Sequence, residues 1–224
     1  MTTTNKDMLN ARDSVGAHVD RNAVLADTVK PGGRYKVVCT RPAPGFEDRF
    51  SELRDLLAMP KNAGNFALRG EFDAIPRIEK WRDAIENTVT TVGKNEMLEE
   101  YMEGAAYTTS MFMGLKGVGT AVVADTQASH ASWLEVGTAN APAYSGTRPV
   151  PSFGAAAAGV KATDADAVFN ITSSGTVAGC FINQGGTSAI DNTTGVLFSA
   201  GDFTGGNKVV DNLDTLNVSY SLAL

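Results

Sequence analysis

The chain has 224 residues, a formal net charge of −6 at pH 7 and a pI near 4.9. Its Lys and Arg residues are scattered rather than clustered, and phosphate contacts need clustered cations, so we expect no nucleic-acid partner. The apolar runs are far shorter than the roughly 20 residues of a membrane span, and the polar start has no apolar signal-peptide core. We therefore expect neither a membrane association nor a secretory signal.

The first region, residues 1–31, is polar and weakly patterned, and it ends in the turn-forming sequence KPGG. This segment has too little apolar surface to fold alone, so we predict an extended N-terminal arm with one short helix over residues 21–26. Residues 32–224 are predicted to form a single β-sandwich domain.

The domain begins with a strand pattern followed by a helix pattern. RYKVVCT, residues 34–40, alternates, and three apolar side chains share one face of the predicted strand: Tyr35, Val37 and Cys39. FEDRFSELRDLLAMP, residues 46–60, has apolar residues at helical spacing and ends at a proline. We place this helix inside an insertion at about residues 41–76.

Two further segments precede the β-rich half of the chain. Residues 78–92 fit either a helix or a strand bounded by a bend, and we favour the strand. Residues 94–104 carry an apolar stripe at helical spacing, and Gly104 is suited to follow the end of a helix. The sequence therefore predicts a second short helix here.

From residue 107 onward the apolar period is two, which is typical of strands. The strand-like runs are separated by clusters of Gly, Asn and Asp: residues 107–115, 166–184, 195–203 and 215–224. Short strands with such breaks are typical of antiparallel sandwiches and jelly rolls. We predict a mainly β protein: an antiparallel β-sandwich or jelly-roll-like domain with an extended N-terminal arm and one or two short helices.

The stretch DTQASHASWLEV, residues 125–136, places Asp125, Ser129 and His130 close together, as a hydrolase triad would require. In a helical turn, however, Asp125 lies beside Ser129 and not beside His130. We favour a structural interpretation. Asp125 is predicted to cap a one-turn helix, Trp133 to be a buried anchor, and His130 to bond a backbone group.

Other candidate sites also favour structural roles. The cluster of Glu96, Glu99, Glu100 and Glu103 is predicted to be a solvated helix face rather than a carboxylate pair for acid–base catalysis. Six loop aspartates could bind Ca²⁺ but have no EF-hand spacing: residues 164, 166, 191, 202, 211 and 214. Cys39 and Cys180 are predicted to be buried free thiols rather than a disulfide or metal pair. We predict no catalytic, cofactor-binding or metal-binding residue, no cofactor and no enzymatic activity.

Four stretches of the chain are distinctive in their order and spacing: residues 80–117, 124–136, 144–163 and 170–206. The most specific feature is the motif DTxASHxxW, which begins at Asp125. Through these stretches, about two thirds of the chain resembles a family of tailed-bacteriophage virion structural proteins. The resemblance implies a β-sandwich that decorates the capsid or belongs to the neck or tail. The N-terminal arm and the insertion at 41–76 depart from the family pattern.

Of these two roles, the added arm and insertion favour a capsid decoration or cement protein that binds and stabilises the shell of the major capsid protein, because an arm that orders on binding can cover a large surface. Such a protein would lie on the outer capsid surface of the virion, be found in the host cytoplasm during assembly, and form a homotrimer whose arms grip neighbouring capsomers. The alternative is a neck, tail or fibre component, for which Tyr144 and Phe153 are the nearest candidates for exposed receptor-binding aromatics. Both stand close to Pro residues, and a position in packed loops is the other interpretation of them. A carbohydrate-binding module or hydrolase on the same sandwich is a third interpretation, which the residues favour least.

Overall fold

The computed structural model describes residues 31–62, 64–103 and 110–223, without the side chains of residues 98, 99 and 101–103. The predicted arm at 1–31, with its short helix at 21–26, lies outside the described residues except for Pro31. The described part contains three α-helices and one 3₁₀ turn: α1 (Glu47–Ala58), the turn (Pro60–Asn62), α2 (Phe66–Asp73) and α3 (Thr91–Glu103). It also contains twelve strands: β1 (Gly32–Pro42), β2 (Arg77–Val89), β3 (Met111–Lys116), β4 (Glu135–Val136), β5 (Ser152–Phe153), β6 (Val160–Ala165), β7 (Ala167–Asn170), β8 (Gly175–Val177), β9 (Gly179–Gln184), β10 (Val196–Asp202), β11 (Lys208–Val210) and β12 (Thr215–Ala223).

Ten of these strands form one antiparallel sheet. Their order is β4-β3-β9-β10-β2-β1-β12-β6-β5, and β7 also pairs with β12. The centre of the sheet is β1, where Tyr35 lies opposite Ile85 of β2 on one side and Tyr220 of β12 on the other. Strands β8 and β11 form a separate two-stranded sheet.

The large sheet curls and buries one shared apolar core. Because side chains alternate between the two faces of a strand, every second residue of the central strands points inward. One apolar cluster contains residues of β3, β9 and β10. The same cluster contains the buried apolar side chains of β1 and β12: Tyr35, Val37, Cys39, Leu216, Val218 and Tyr220. The predicted mainly β, sandwich-like antiparallel fold is confirmed.

Residues 43–76 connect β1 to β2 and contain α1 and α2; we call this segment the helical insertion. Its two helices bury a small cluster of their own, in which the rings of Phe50 and Phe72 are 4.8 Å apart. The Arg77 guanidinium lies 4.9 and 5.0 Å from the centroids of these two rings. The predicted helix at 46–60 is confirmed as α1, but α2 was not predicted because eight residues interrupted by Gly70 carry little helical periodicity.

Two predicted boundaries differ from the structure. The strand predicted at 78–92 is β2, but it ends at Val89, and α3 begins at Thr91 rather than at residue 94. Here the Thr90 hydroxyl accepts the Gly93 N–H at 3.1 Å, which satisfies a free backbone donor in the first turn of the helix. In the strand predicted at 107–115, the first described strand residue is Met111.

Candidate interaction surface

The loops that follow β3 and β4 present a surface without exposed charge. Residues 117–160 contain three charged residues, Asp125, Glu135 and Arg148, and all three are buried. Large apolar side chains are nevertheless exposed here: Val118, Val122, Val123, Leu134 and Val150. We call the exposed side chains of residues 118–134 and 138–150 the uncharged loop surface. Single exposed apolar residues are ordinary, but exposed apolar residues together with depleted charge are typical of the centre of a protein interface.

The two ends of the first loop run alongside each other. The Gly117 N–H donates to the Leu134 carbonyl at 2.8 Å, and the Ser132 hydroxyl donates to the Thr120 carbonyl at 2.6 Å. Gly119 has a φ of +118°, and a Cβ at this position would lie 1.8 Å from the Ser132 carbonyl oxygen. The close approach of these two segments therefore requires glycine, and it gathers exposed apolar side chains at one part of the loop.

Trp133 is the anchor beneath this loop. Its indole N–H donates to Asp125 Oδ2 at 2.8 Å, and the same oxygen accepts the Val122 N–H at 2.9 Å. The His130 ring stacks on the indole with a centroid distance of 3.9 Å, and its Nδ1 lies 2.9 Å from the Trp133 carbonyl oxygen. The predicted buried tryptophan and the predicted bond from His130 to the backbone are confirmed.

The one-turn helix predicted after Asp125 is wrong. Residues 126–129 form a tight turn, in which Thr126 and Ser129 exchange backbone hydrogen bonds of 2.9 and 3.1 Å. The Thr126 hydroxyl also accepts the Ser129 N–H at 3.0 Å, so the side chain offers the backbone an alternative to helical bonding. The Asp125 carboxylate accepts its hydrogen bond from Trp133 and not from His130. Asp125, His130 and Ser129 therefore lack the acid–histidine–nucleophile contacts that a catalytic triad requires.

Lys116 supports the start of the loop from below. Its side chain is fully buried, and Nζ lies 2.6 Å from Asp202 Oδ1. The ammonium also donates to the carbonyls of Gly117 and Gly119, and it lies 5.6 Å from the centroid of the Trp133 ring. Burying an ammonium without partners would lower the folding stability by several kcal/mol. The lysine therefore stabilises the loop conformation in which the two carbonyls reach its Nζ.

A buried ion pair joins the first loop to the loop that follows β4 and to the loop between β9 and β10. Arg148 donates from Nε to Glu135 Oε1 at 2.8 Å and from Nη2 to Oε2 at 2.5 Å. Glu135 Oε2 also accepts the Asp191 N–H at 2.8 Å. Arg148 Nη2 and Gln127 Nε2 both donate to the Asn192 carbonyl, at 2.9 and 2.8 Å. The uncharged loop surface is therefore built on a fixed network rather than on isolated loops.

No protein-family model matches this sequence. No curated protein matches it either. The relation to phage virion proteins, expected from the four sequence stretches, therefore stays a prediction. None of the helices within residues 31–62, 64–103 and 110–223 combines the length and apolar character needed to cross a membrane.

The predicted acidic candidates are dispersed over the structure. In the part of the chain that the structure describes, no group of three or more His, Cys, Asp or Glu residues is arranged to hold a metal ion. The carboxylates of Asp211 and Asp214 each lie 2.7 Å from Lys80 Nζ. Contacts with Lys80, Arg41 and Ser174 hold the pKa of Asp211 below its usual value. On α3, the Glu100 carboxylate accepts a hydrogen bond from Gln184 at 3.1 Å.

The two cysteines and the two candidate aromatics all contact the apolar core. Cys39 and Cys180 are buried free thiols, as predicted, and burial raises the pKa of Cys39 to about 12. Tyr144 is buried against the edge of the Phe169 ring, and Phe153 is half-buried against the core. Of the two candidates for exposed receptor-binding aromatics, Tyr144 is thus a packed loop residue, and Phe153 in β5 is only partly exposed.

Sequence patterns did not identify the most exposed apolar side chains. The exposed aromatics of the described residues include Phe46 and Phe66, both in the helical insertion. The uncharged loop surface had a usable sequence signal: the only charged residues from 117 to 160 are Asp125, Glu135 and Arg148. That these three are buried could not be read from the sequence, since each is paired with a group brought there by folding.

Proposed function

We propose that this protein is a structural component of a tailed-bacteriophage particle, and that it decorates the capsid by binding the shell of the major capsid protein through the uncharged loop surface. In this role it is a cement protein on the outer capsid surface. It has no catalytic task, and its partners are the capsid subunits and further copies of itself.

The observation that carries the proposal is a set of loops on an acidic protein that expose apolar side chains, bury their charged residues and are joined by buried hydrogen bonds. Binding costs less free energy when the contacting loops are already ordered, and the ion pair of Glu135 with Arg148 orders three of them. The border of the surface is polar, since Asp191 and Asp202 lie beside it and accept hydrogen bonds from Thr138 and from the Ala121 N–H. An apolar centre with a polar rim is the usual anatomy of a protein interface.

Two further features support a role in the particle. The fold is mainly β and sandwich-like, and four stretches of the sequence carry the resemblance to virion proteins of tailed phages.

The first test is a copy count in purified particles of a phage whose genome encodes this chain, by quantitative mass spectrometry against the major capsid protein. A ratio close to one supports a shell-wide cement protein. A ratio of a few per cent overturns the decoration role in favour of a neck, tail or fibre position, and absence of the chain from the particles overturns the virion role altogether.

The second test locates the contact on the uncharged loop surface. Leu134 and Val209 are matched apolar positions, exposed to 61% and 60%, but Val209 lies on β11, outside this surface. We expect Leu134→Glu to abolish binding to capsid shells that lack the chain, because the new carboxylate would be desolvated in the contact. Val209→Glu should bind as the wild type does. Equal binding by both variants would contradict the proposed surface.

A further inference from the structure

We propose that Lys116 and Asp202 become joined by a covalent amide bond between their side chains once the chain has folded. The bond links Nζ of Lys116 to the carboxyl carbon Cγ of Asp202 and releases one water molecule. Both reacting groups belong to this chain, so the modification needs no further reactant. The inference does not depend on the proposed capsid role.

The register of three neighbouring strands brings the two side chains together. Gly179 of β9 is paired with Lys116 of β3 on one side and with Asp202 of β10 on the other. Directly paired residues have their side chains on the same face of a sheet. The two outer Cα atoms are about 10 Å apart, which is two strand spacings, and the residue between them has no side chain. The long lysine side chain therefore crosses β9 without obstruction.

The reacting atoms are in contact in a buried place. The Lys116 side chain is fully buried, and its Nζ lies 2.6 Å from Asp202 Oδ1. This oxygen is buried too, and among the described residues it has no partner with the geometry of a hydrogen bond. The carboxyl carbon is one bond beyond Oδ1, so the amine is already close to the atom that it attacks. Well-oriented groups held together in this way react as if their concentration were about 10⁵–10⁸ M.

Two backbone carbonyls orient the lysine nitrogen. Nζ donates to the Gly117 carbonyl at 3.2 Å and also to the Gly119 carbonyl. An ammonium group has three N–H bonds, so these two contacts leave the third position for Asp202 Oδ1. When the proton at this third position passes to Oδ1, the lone pair that it leaves on Nζ is directed at the Asp202 carboxyl group.

The step then balances without an oxidant or a cofactor. The Nζ lone pair forms the bond to Cγ, and the Ala121 N–H, which donates to Asp202 Oδ2 at 3.1 Å, stabilises the negative charge that develops on that oxygen. The bond between Cγ and Oδ1 breaks, and Oδ1 leaves as water with two of the three ammonium protons. The third proton stays on the amide nitrogen. Because the Asp202 side chain is 36% exposed, the released water has a path to the solvent.

A second lysine–aspartate pair lacks these features and serves as the comparison. Lys208 Nζ lies 2.9 Å from Asp83 Oδ2, but the lysine side chain is 20% exposed and reaches water. The Asp83 carboxylate also accepts hydrogen bonds from the Thr204 hydroxyl at 2.8 Å and from the Gly205 N–H at 3.1 Å. Several donors thus stabilise Asp83 as an ion, and we expect this pair to remain a salt bridge.

The amide bond closes the chain between residues 116 and 202 into a ring. It ties β3 to β10, two strands that are not paired with each other and are joined through β9. The ring contains the first loop of the uncharged loop surface together with its anchor, Trp133. The start of that loop then stays attached to the far side of β9 even when the protein is denatured.

The test is the intact mass of the purified full chain, measured under denaturing conditions after the folded protein has been held at neutral pH until the mass is constant. We expect a mass lower than the sequence mass by one water molecule. A proteolytic digest should then contain a branched peptide in which Lys116 is linked to Asp202. An unchanged mass overturns the proposal, because the pair is then an ion pair only. A mass deficit that maps to any other residue overturns it as well.

Substitutions identify the reacting groups. Lys116→Arg and Asp202→Ala should both have the full sequence mass, because each lacks one of the two reactants. Lys208→Arg is the matched control and should keep the deficit, since it changes only the comparison pair. A deficit that persists in Lys116→Arg overturns the proposal. If either variant at the proposed bond fails to fold, the branched peptide of the wild type still decides, because it contains both residues.

Discussion

The ion pair beneath the uncharged loop surface gives the clearest quantitative test of the structure. Arg148 and Glu135 are 1% and 4% exposed and share two hydrogen bonds, so removing one partner leaves a charge buried without compensation. Such a loss costs about 3–5 kcal/mol. At about 2–4 °C per kcal/mol for a domain of this size, Arg148→Met should lower the unfolding temperature by about 6–20 °C.

The assay is thermal and urea unfolding followed by circular dichroism, completed as a double-mutant cycle. Adding Glu135→Gln to Arg148→Met should restore part of the loss, because the uncompensated charge is removed. Arg34→Met is the matched control. Arg34 pairs with Glu86 at 3.2 Å on the surface, and losing such a pair costs at most about 1 kcal/mol. The charge on the unpaired partner is not the cause if Arg148→Met lowers the free energy of unfolding no more than Arg34→Met does. The same holds if the effects of Arg148→Met and Glu135→Gln on that free energy simply add.

Three further predictions concern the thiols, the pH dependence and the first loop. Cys39, with its raised pKa, and the other buried cysteine should react with a thiol reagent at pH 8 only after unfolding; fast labelling of the native protein would contradict their burial. Burial by itself raises the pKa of Asp83, but hydrogen bonds from Lys208, Thr204 and two backbone N–H groups outweigh it and hold this pKa below its usual 3.8. A carboxyl whose pKa is lower in the folded state stabilises the fold at a pH above its unfolded-state pKa. That contribution is lost as the pH falls through the folded-state pKa. Asp83→Asn should therefore reduce the loss of stability below about pH 4, measured by unfolding at a series of acidic pH values. Gly119→Ala should destabilise the protein more than Gly146→Ala, because both positions have positive φ but only the first would clash; equal unfolding temperatures would refute this.

The buried charges explain how an apolar loop surface stays ordered. A loop of small and apolar residues offers few side-chain hydrogen bonds of its own. Buried charges supply them instead. Lys116 pairs with Asp202 of β10, Asp125 accepts the Trp133 indole N–H within the same loop, and Glu135 accepts the Asp191 N–H from another loop. The arrangement places the charges where they fix the backbone and leaves the outer face free of them.

The sequence alone was enough to predict the strands and the helix in which apolar residues recur at regular spacing. In β1 and β12 the alternation that puts Tyr35 and Val218 inside is visible in the chain, because a strand turns each successive side chain to the opposite face. The same reasoning identified α1 from its apolar spacing. The depletion of charge along residues 117–160 was also present in the sequence.

Only the tertiary structure decided which of these residues are covered. Tyr144 lies in a polar loop sequence but is buried, whereas Phe66 lies in a helix and is almost fully exposed. From the sequence, Arg148 and Glu135 resemble ordinary surface charges, but in the fold they form a buried ion pair. The sequence DTQASHASWLEV predicts a helical turn, but in the fold the Asp125 carboxylate accepts the Trp133 indole N–H. The physical reason is that periodicity is a local property of the backbone, while burial and pairing depend on segments that are distant in the chain and meet only in the folded protein.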